Sequence, residues 1–262
     1  MHGLGNDFVI IDARKAPVDL DSHMITHICN RHQGVGCDQL VVVGASTHAD
    51  AAVTFYNQDG STSSACGNAT RCVADMLATQ LNKDAITLEA NDRILSCQRI
   101  ADKTITVDMG QAYLSWQDIP LSHDMDIFQV RVSDELDPGV AVGMGNPHIV
   151  LFVESINTVD VVRLGEEIES HVFFPERVNV NFAHINAPDK ITLCVYERGA
   201  GITQACGSGA CATAVAAYKR GLINQKVTVS LPGGELIVDV SNLNHIAMTG
   251  PVAYVFKGQM DV

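Results

Sequence analysis

The feature that most constrains this chain is that its sequence repeats itself. "YNQDGSTSSACGNATRC" (56–72) and "YERGAGITQACGSGAC" (196–211) each contain a tyrosine, a polar turn and Ala-Cys-Gly followed by a small polar residue, and Cys66 and Cys206 lie 140 residues apart. Further matches at the same offset are Gly5-Asn6 with Gly145-Asn146, Gln39 with Asn179, and Gly110 with Gly250. An ordered series of this kind is typical of a duplicated unit. The sequence therefore predicts two copies of one fold.

Each half combines short β-branched runs with one clear helical pattern. Runs such as "VTFYN", "TITVDMG", "LCVYE" and "KVTVSL" alternate with turn residues, which indicates an antiparallel sheet. After each Cys-Gly, apolar residues fall on one helical face. They are Ala69, Cys72, Val73, Met76 and Leu77 in the first half, and Ala210, Cys211, Ala214, Val215 and Tyr218 in the second. The predicted fold is α+β, with two pseudo-symmetric domains that are each a curled, mostly antiparallel sheet around a central helix.

The joint between the halves is predicted in the polar, proline-containing stretch Ser115 to Asp124, which has neither strand nor helix periodicity. This assigns residues 1–116 to an N-terminal half and 117–262 to a C-terminal half. A strand at about 253–262 is expected to return to the first half.

Composition narrows the class of protein. The 262 residues are 47% hydrophobic and 18% charged, as in globular proteins, and no apolar run approaches the ~20 residues that span a bilayer. The formal net charge of −13 repels a phosphate backbone, so nucleic acid is not expected as a partner. The start "MHGLGNDFVIID" has no basic leader, so we expect a cytoplasmic protein without membrane association. Cys29, Cys37, Cys97 and Cys194 have apolar neighbours and are interpreted as buried hydrophobic residues.

Cys66 and Cys206 stand at the starts of the two predicted helices. The unpaired N–H groups of a first turn favour negative charge, so we expect each thiol pKa to be lowered and the N–H groups to hold a carboxylate. Duplication is expected to bring the two sulfurs to opposite faces of one bound carbon. A thiolate on one face and a thiol on the other suit stereochemical inversion at a carbon acid.

Other interpretations of these cysteines stay open. Cys72 and Cys211 fit core positions on their helices. A zinc site from Cys66, Cys72, Cys206 and Cys211 is an alternative, although the spacing contains no Cys-x-x-Cys. A dithiol redox pair is another, although it leaves the surrounding polar residues without a role.

Several motifs together resemble the diaminopimelate epimerase family over essentially the whole chain. They are "MHGLGNDF", "RHQGVGCDQL", "YNQDGS...ACGN", "MGNPH", "FPERVNV" and "YERGAG...ACGSGAC". The resemblance implies the fold of that family and interconversion of LL- and meso-diaminopimelate, in lysine and peptidoglycan precursor biosynthesis. It further implies a homodimer that needs no pyridoxal phosphate, other cofactor or metal.

The resemblance also implies roles for individual residues. Cys66 and Cys206 correspond to the two bases, and His148 and Glu197 to groups that assist them. Backbone N–H groups of Gly67-Asn68 and Gly207-Ser208 correspond to those that hold the reacting carboxylate. The remaining substrate-binding positions are Asn6, Gln39, Asn57, Asn146, Asn179, Glu197 and Arg198.

These residue types suit a substrate with an amino acid at each end, because Glu197 can accept from an ammonium and Arg198 can bind a distal carboxylate. Taken singly, the asparagines fit turns, His148 fits a loop, and Glu197-Arg198 fits a solvated pair. Their shared order around the two cysteines favours a site. Another epimerase or racemase of the same fold, acting on proline or hydroxyproline, is the alternative enzyme.

Overall fold

A computed structural model of the chain describes residues 1–63, 66–91 and 93–260. Ser64 and Ala65, which belong to the first cysteine motif, lie outside the described residues. The chain forms two compact units: unit 1 is Met1–Asp108 with the chain from Thr249 onward, and unit 2 is Met109–Met248. Both units combine helices with a sheet, so the predicted α+β class is confirmed.

Unit 1 is one sheet with two helices. Its strands are β1 (His2–Gly3), β2 (Asn6–Asp12), β3 (Gln39–Gly44), β4 (Ala51–Asn57), β5 (Thr62–Ser63), β6 (Ala85–Ala90), β7 (Arg93–Ala101), β8 (Thr104–Asp108) and the returning β16 (Ala247–Pro251), which belongs to unit 1 from Thr249 onward. The strand order is β1-β2-β3-β4-β6-β7-β8-β16, with β5 beside β4. Helix α1 (Ser22–Cys29) packs on β3, whereas α2 (Gly67–Leu81) contacts β1, β2, β6, β7 and β8 and is the central helix of the unit.

Unit 2 has the same plan. Its elements are β9 (Val140–Gly143), β10 (Pro147–Phe152), a 3-10 helix (Ile156–Thr158), α3 (Val161–Glu169), β11 (Asn179–Ala187), β12 (Lys190–Glu197), β13 (Gly201–Ile202), α4 (Gly207–Lys219), β14 (Lys226–Leu231) and β15 (Gly234–Asp239). The strand order is β15-β14-β12-β11-β10-β9, with β13 beside β12. Helix α4 packs on β9, β10, β11, β14 and β15, so it occupies the position that α2 has in unit 1.

The strand registers confirm the sequence repeat. In unit 1 the parallel pair β2 and β3 aligns Phe8 with Gln39, and in unit 2 the parallel pair β10 and β11 aligns His148 with Asn179. Each residue is displaced by the same 140 positions (148 − 8 and 179 − 39). Since a slip of one residue would turn every side chain to the opposite face, a shared register means that equivalent residues face the same way in their own sheets.

The two central helices form where the apolar periodicity predicts them. Ala69, Cys72 and Leu77 of α2 are fully buried, as are Ala210 and Cys211 of α4. The burial of a small-residue face lets each helix lie close to its sheet. Cys72 and Cys211 are thus core residues, as one of the interpretations above proposed.

The stretch predicted as the joint and the strand that returns to unit 1 each have a definite place in the structure. The stretch 115–124, proposed as the joint, lies in unit 2, where Ile119 and Leu121 are buried in the hydrophobic core. The strand that returns to unit 1 is β16, and it is followed by a bridge between Ala253 and His2. Residues 254–260 are not in a strand and expose Phe256, while Asp261 and Val262 lie outside the described residues.

Among the residues that the structure describes, no helix has the length and apolar character to cross a membrane.

Candidate active site

Cys66 is the N-cap of α2, as the sequence predicts. Its backbone is extended (φ −144°, ψ 103°), its Sγ accepts a hydrogen bond from the Ala69 N–H at 3.5 Å, and its carbonyl accepts from the Thr70 N–H at 2.9 Å. Gly67 is the first residue of the helix. The sulfur therefore lies where the first-turn N–H groups of α2 point outward.

Asn6 and Asn68, both predicted site residues, lie beside this sulfur. Asn6 Oδ1 is 3.9 Å from Cys66 Sγ and accepts from Asn68 Nδ2 at 3.1 Å. The Asn6 amide nitrogen donates to Asp38 Oδ2 at 2.8 Å, and Arg71 Nη2 donates to Asn68 Oδ1 at 2.9 Å. Unit 1 thus brings three predicted residues together, held by two charged residues that the sequence interpretation did not select.

Gln39 and Asn57 form a second polar pair in unit 1. They stand opposite each other on β3 and β4, and Gln39 Nε2 donates to Asn57 Oδ1 at 3.0 Å. Asn57 Nδ2 donates in turn to Ser61 Oγ at 3.0 Å. The pairing leaves each amide with hydrogen-bonding capacity for a ligand, because an amide has two donors and two lone pairs.

Cys206 is the N-cap of α4 and is only 5% exposed. Its Sγ lies 3.6 Å from Ser208 Oγ, and Gly207 is the first helical residue. Burial raises the pKa of the Cys206 thiol well above its usual value, and the Glu197 carboxylate raises it further, whereas Ser208 and the Gly209 N–H lower it. The predicted lowering of the thiol pKa is therefore wrong for Cys206, because desolvation outweighs the helix N–H groups.

His148 is fully buried and neutral. Burial lowers its pKa to about 3. Asn181 Nδ2 lies 3.2 Å from His148 Nδ1 and shares its two hydrogens among that nitrogen and the Ile149 and Asn179 carbonyls. Because an amide nitrogen only donates, Nδ1 is assigned as the acceptor and Nε2 as the nitrogen that carries the hydrogen. His148 Nε2 then donates to Asn146 Oδ1 at 2.9 Å. In this structure His148 orients a neighbouring amide.

Asn146 carries this hydrogen bonding towards Cys206. With its oxygen held by His148, the Asn146 amide nitrogen faces Ser208 Oγ at 3.5 Å, and Ser208 is the neighbour of the Cys206 sulfur. The structure thus connects four predicted residues of unit 2: His148, Asn146, Ser208 and Cys206.

The end of β12 holds the remaining predicted residues. Glu197 accepts a hydrogen bond from Thr203 Oγ1 in addition to its interaction with the Cys206 thiol. Asn179 donates to the Pro147 carbonyl at 3.0 Å and accepts from the Arg198 N–H at 3.0 Å, so it shapes the backbone on both sides. The Arg198 guanidinium donates to the Glu176 carbonyl at 2.8 Å.

Some residues at the site were missed by sequence reasoning. Asp38 and Arg71 lie inside the quoted motifs, yet nothing in their spacing shows that they meet Asn6 and Asn68. Asn181 is fully buried beneath His148, and its Oδ1 has no hydrogen-bond partner among the described residues. These contacts join segments far apart in the chain, so only the fold reveals them.

The described cysteines are all free thiols. Within the described residues, no group of three or more His, Cys, Asp or Glu is arranged to hold a metal ion. In each unit a cysteine at the start of a helix is linked to an asparagine by hydrogen bonds. Cys66 contacts Asn6 directly, and Cys206 is linked to Asn146 through Ser208. A carboxylate could be held at such a helix start while the sulfur exchanges a proton with the neighbouring carbon.

Comparisons with known proteins identify the family of the chain. A family model described as diaminopimelate epimerase matches residues 1–115 and 140–255. The diaminopimelate epimerase of Zymomonas mobilis is 46% identical over 100% of this chain and 96% of its own, and that of Sphingopyxis alaskensis is 47% identical over 100% and 96%.

Solved structures with low identity share the fold. A PhzF-family phenazine biosynthesis protein from Bacillus anthracis has a TM-score of 0.72 at 15% identity, covering 100% of this chain and 95% of its own. A hydroxyproline epimerase from Agrobacterium vitis has a TM-score of 0.67 at 14% identity, covering 97% and 89%. The family model and the full-length relatives go further than fold: the chain belongs to the diaminopimelate epimerase family.

Proposed function

We propose that this protein interconverts LL- and meso-diaminopimelate without a cofactor, using Cys66 and Cys206 as the two proton-transfer groups. One observation carries the proposal. Equivalent helices in the two units of a diaminopimelate epimerase family member each have a cysteine as their N-cap, with the sulfur beside the first turn. Duplication of such an arrangement supplies the two bases that inversion requires.

The proposed reaction moves one proton off and one proton on. The thiolate of one cysteine takes the α-proton, and the electron pair of the broken C–H bond stays on the substrate. The thiol of the other cysteine then gives its proton to the opposite face, which forms the new C–H bond and leaves a thiolate there. The charge that develops on the substrate carboxylate is stabilised by N–H groups of Gly67-Asn68 and Gly207-Ser208.

The environment of Cys206 suggests which group starts with the proton. Because burial and Glu197 raise its pKa, Cys206 is a thiol in the free protein and suits the donor. Cys66 is the more exposed of the two cysteines and would then be the first acceptor. After one turnover the roles are exchanged, as the reverse reaction requires.

The polar residues suit a substrate with an amino acid at both ends. Arg198 can bind a distal carboxylate through two parallel hydrogen bonds, and Glu197 can accept from an ammonium. The asparagines and Gln39 would complete the recognition: Asn6, Gln39, Asn57, Asn146 and Asn179. Their number favours diaminopimelate over proline or hydroxyproline, which have one such end.

The same proposal covers partners and place of action. With a net charge of −13 we expect no nucleic-acid partner, and we propose a cytoplasmic homodimer that acts on a small molecule. Sedimentation of the purified protein tests the dimer.

Exchange of the α-hydrogen in deuterated water tests the function. LL-diaminopimelate should lose its α-proton signal and yield the meso form, whereas L-proline and trans-4-hydroxy-L-proline should not exchange. Cys66→Ala and Cys206→Ala should each abolish formation of the meso form. Full activity in either variant, or tightly bound zinc in stoichiometric amount, would contradict the proposal.

A further inference from the structure

The Cys66 end of unit 1 contains a chain of side-chain hydrogen bonds with two charged ends. Arg71 Nη2 donates to Asn68 Oδ1 (2.9 Å), Asn68 Nδ2 donates to Asn6 Oδ1 (3.1 Å), and Asn6 Nδ2 donates to Asp38 Oδ2 (2.8 Å). Arg71 and Asn68 are buried. The chain passes Cys66, whose Sγ is 3.9 Å from Asn6 Oδ1.

The two ends of this chain allow only one direction of hydrogen bonding. An amide can turn over and exchange its donor and acceptor, so a row of amides by itself has two directions. A guanidinium only donates and a carboxylate only accepts. With Arg71 at one end and Asp38 at the other, neither Asn68 nor Asn6 can turn over without placing two donors or two acceptors face to face.

Asp38 is itself held in place. Arg31 Nη2 donates to Asp38 Oδ1 at 2.7 Å and both terminal nitrogens of Arg31 donate to Asp7, at 2.7 and 2.8 Å. The Asp7 N–H donates to Asp38 Oδ2 at 3.1 Å. The carboxylate therefore keeps one oxygen aimed at Asn6.

We propose that Arg71 and Asp38 are positioning residues that fix the orientation of the Asn68 and Asn6 amides, so that Asn6 keeps its carbonyl oxygen towards Cys66. The inference rests on the proposed function of Cys66 as a proton-transfer group. An acceptor beside the sulfur makes the Cys66 thiolate a stronger base, which suits a group that takes the α-proton, and it also keeps the Asn6 amide nitrogen away from the sulfur.

The opposite orientation in unit 2 supports this role. Asn146 is the repeat equivalent of Asn6, yet its oxygen accepts from His148 and its nitrogen faces Ser208, the neighbour of Cys206. The backbone plan is duplicated, but the hydrogen bonding beside the two cysteines runs in opposite directions. Each direction is set by residues that have no counterpart in the other unit.

A double-mutant cycle tests the proposal. Asp38→Asn replaces a group that only accepts hydrogen bonds, and Arg71→Gln replaces a group that only donates them. Each substitution introduces an amide, which can do either. Either single variant leaves the other end in place, so Asn6 keeps its orientation. In the double variant Asn6 can turn its nitrogen to the sulfur when the thiolate forms, and thiolate formation becomes easier.

The measurement is the pH midpoint of iodoacetamide reaction at Cys66, followed by peptide mapping. The midpoint of the double variant should lie about one pH unit lower than the value obtained by adding the two single-variant shifts to the wild-type midpoint. That difference is a tenfold change in thiolate fraction. The single variants measure the direct charge effects of Asp38 and Arg71, so the cycle subtracts them. The charges of Arg31, Asp7 and Cys72 are the same in every variant of the cycle and cancel. Additive shifts would overturn the proposal.

Two controls separate positioning from unfolding. Arg71→Lys keeps an end that only donates, so its combination with Asp38→Asn should be additive. Reaction at Cys72, which is fully buried in α2, would reveal opening of the helix. Neither readout needs epimerase activity, so a negative result with diaminopimelate leaves this test standing.

A stability experiment covers the case in which Arg71→Gln does not fold. Asn68→Asp can accept from Arg71 but cannot donate to Asn6, so it should lower Tm. Adding Asp38→Asn supplies a donor to the Asn6 oxygen, so that Asn6 can turn over and donate to the carboxylate introduced at position 68, which should recover part of that loss. A double variant no more stable than Asn68→Asp would contradict the proposal.

Discussion

At the scale of single residues, the two cysteines differ although their helices match. Cys66 is partly exposed beside an amide oxygen, whereas Cys206 is buried beside Glu197. Desolvation acts on the charged form of a thiol, so the more buried sulfur holds its proton more tightly. The residue scale is therefore where the duplicated site becomes chemically unequal.

Glu197→Gln should lower the pKa of Cys206, because a carboxylate that opposes the thiolate is replaced by a neutral amide. We expect a shift of about one pH unit, a tenfold change in thiolate fraction. The thiolate absorbance of the variant, compared with that of the same variant carrying Cys206→Ala, measures it. Glu167→Gln, an exposed carboxylate on α3, is the control and should leave the titration unchanged. A midpoint unmoved in Glu197→Gln would refute the role of Glu197.

His148 makes stability depend on pH in the acidic range. Its folded pKa of about 3 lies below the ordinary value of 6.5, so the unfolded chain binds a proton that the folded protein excludes. The contribution of the neutral His148 to the free energy of unfolding is complete above pH ~6.5. It falls with decreasing pH by up to about 1.4 kcal/mol per pH unit until the pH reaches the folded pKa. Urea unfolding between neutral pH and about pH 4.5 should show a shallower pH dependence in His148→Gln than in the control His48→Gln, where an exposed histidine is removed. Equal slopes would contradict this account.

At the scale of elements, α4 approaches its sheet too closely for a side chain at Gly209. A Cβ there would lie 2.6 Å from Asn181 Oδ1, 3.1 Å from Val195 Cγ2 and 3.3 Å from Cys206 Sγ. The glycine therefore sets the distance between the cysteine, the helix and the amide beneath His148. Ala69 occupies the equivalent position in α2, so the two helices are not packed identically.

Gly209→Ala should destabilise the protein by about 1–3 kcal/mol, although alanine favours a helix by about 1 kcal/mol over glycine. The overlap with Asn181 and Cys206 must be relieved by moving the helix start, so epimerase activity should fall as well. Chemical denaturation and the exchange assay measure the two effects. Gly44→Ala, where a Cβ meets no atom of the described residues within 4 Å, is the control and should change stability by less than about 0.5 kcal/mol. A stabilised Gly209→Ala would be the opposite of this expectation.

At the scale of the whole molecule, the proposal requires Cys66 and Cys206 to act on one carbon. Sulfurs that flank a single carbon should be joined by mild oxidation with diamide, with loss of activity and recovery on reduction. Peptide mapping should identify the Cys66–Cys206 disulfide. Cys29 and Cys37 are the competing pair, with their buried sulfurs 3.5 Å apart, so Cys37→Ala is the control and should still be inactivated. If Cys37→Ala keeps its activity after diamide treatment, the inactivation comes from the Cys29–Cys37 pair and the prediction is wrong.

Local patterns determined much of what could be known without the fold. The 140-residue repeat predicted that two units share one plan, and the strand registers repeat at that offset. The apolar periodicity after each Cys-Gly predicted α2 and α4, with Cys72 and Cys211 in the core. The helices depend on residues a few positions apart, which periodicity records directly, and the repeat shows as matching residues at one fixed offset.

Only the tertiary structure decided the chemistry around the cysteines. Asp38 reaches Asn6 from 32 residues away, and Asn181 reaches His148 from 33 residues away. Burial, which no spacing in the sequence reports, reverses the expected pKa shift of Cys206. Hydrogen-bond direction and desolvation depend on every group that the fold packs around an atom, whereas strand and helix formation depend mainly on neighbours along the chain. That difference is why the repeat could be read from the sequence and the inequality of its two cysteines could not.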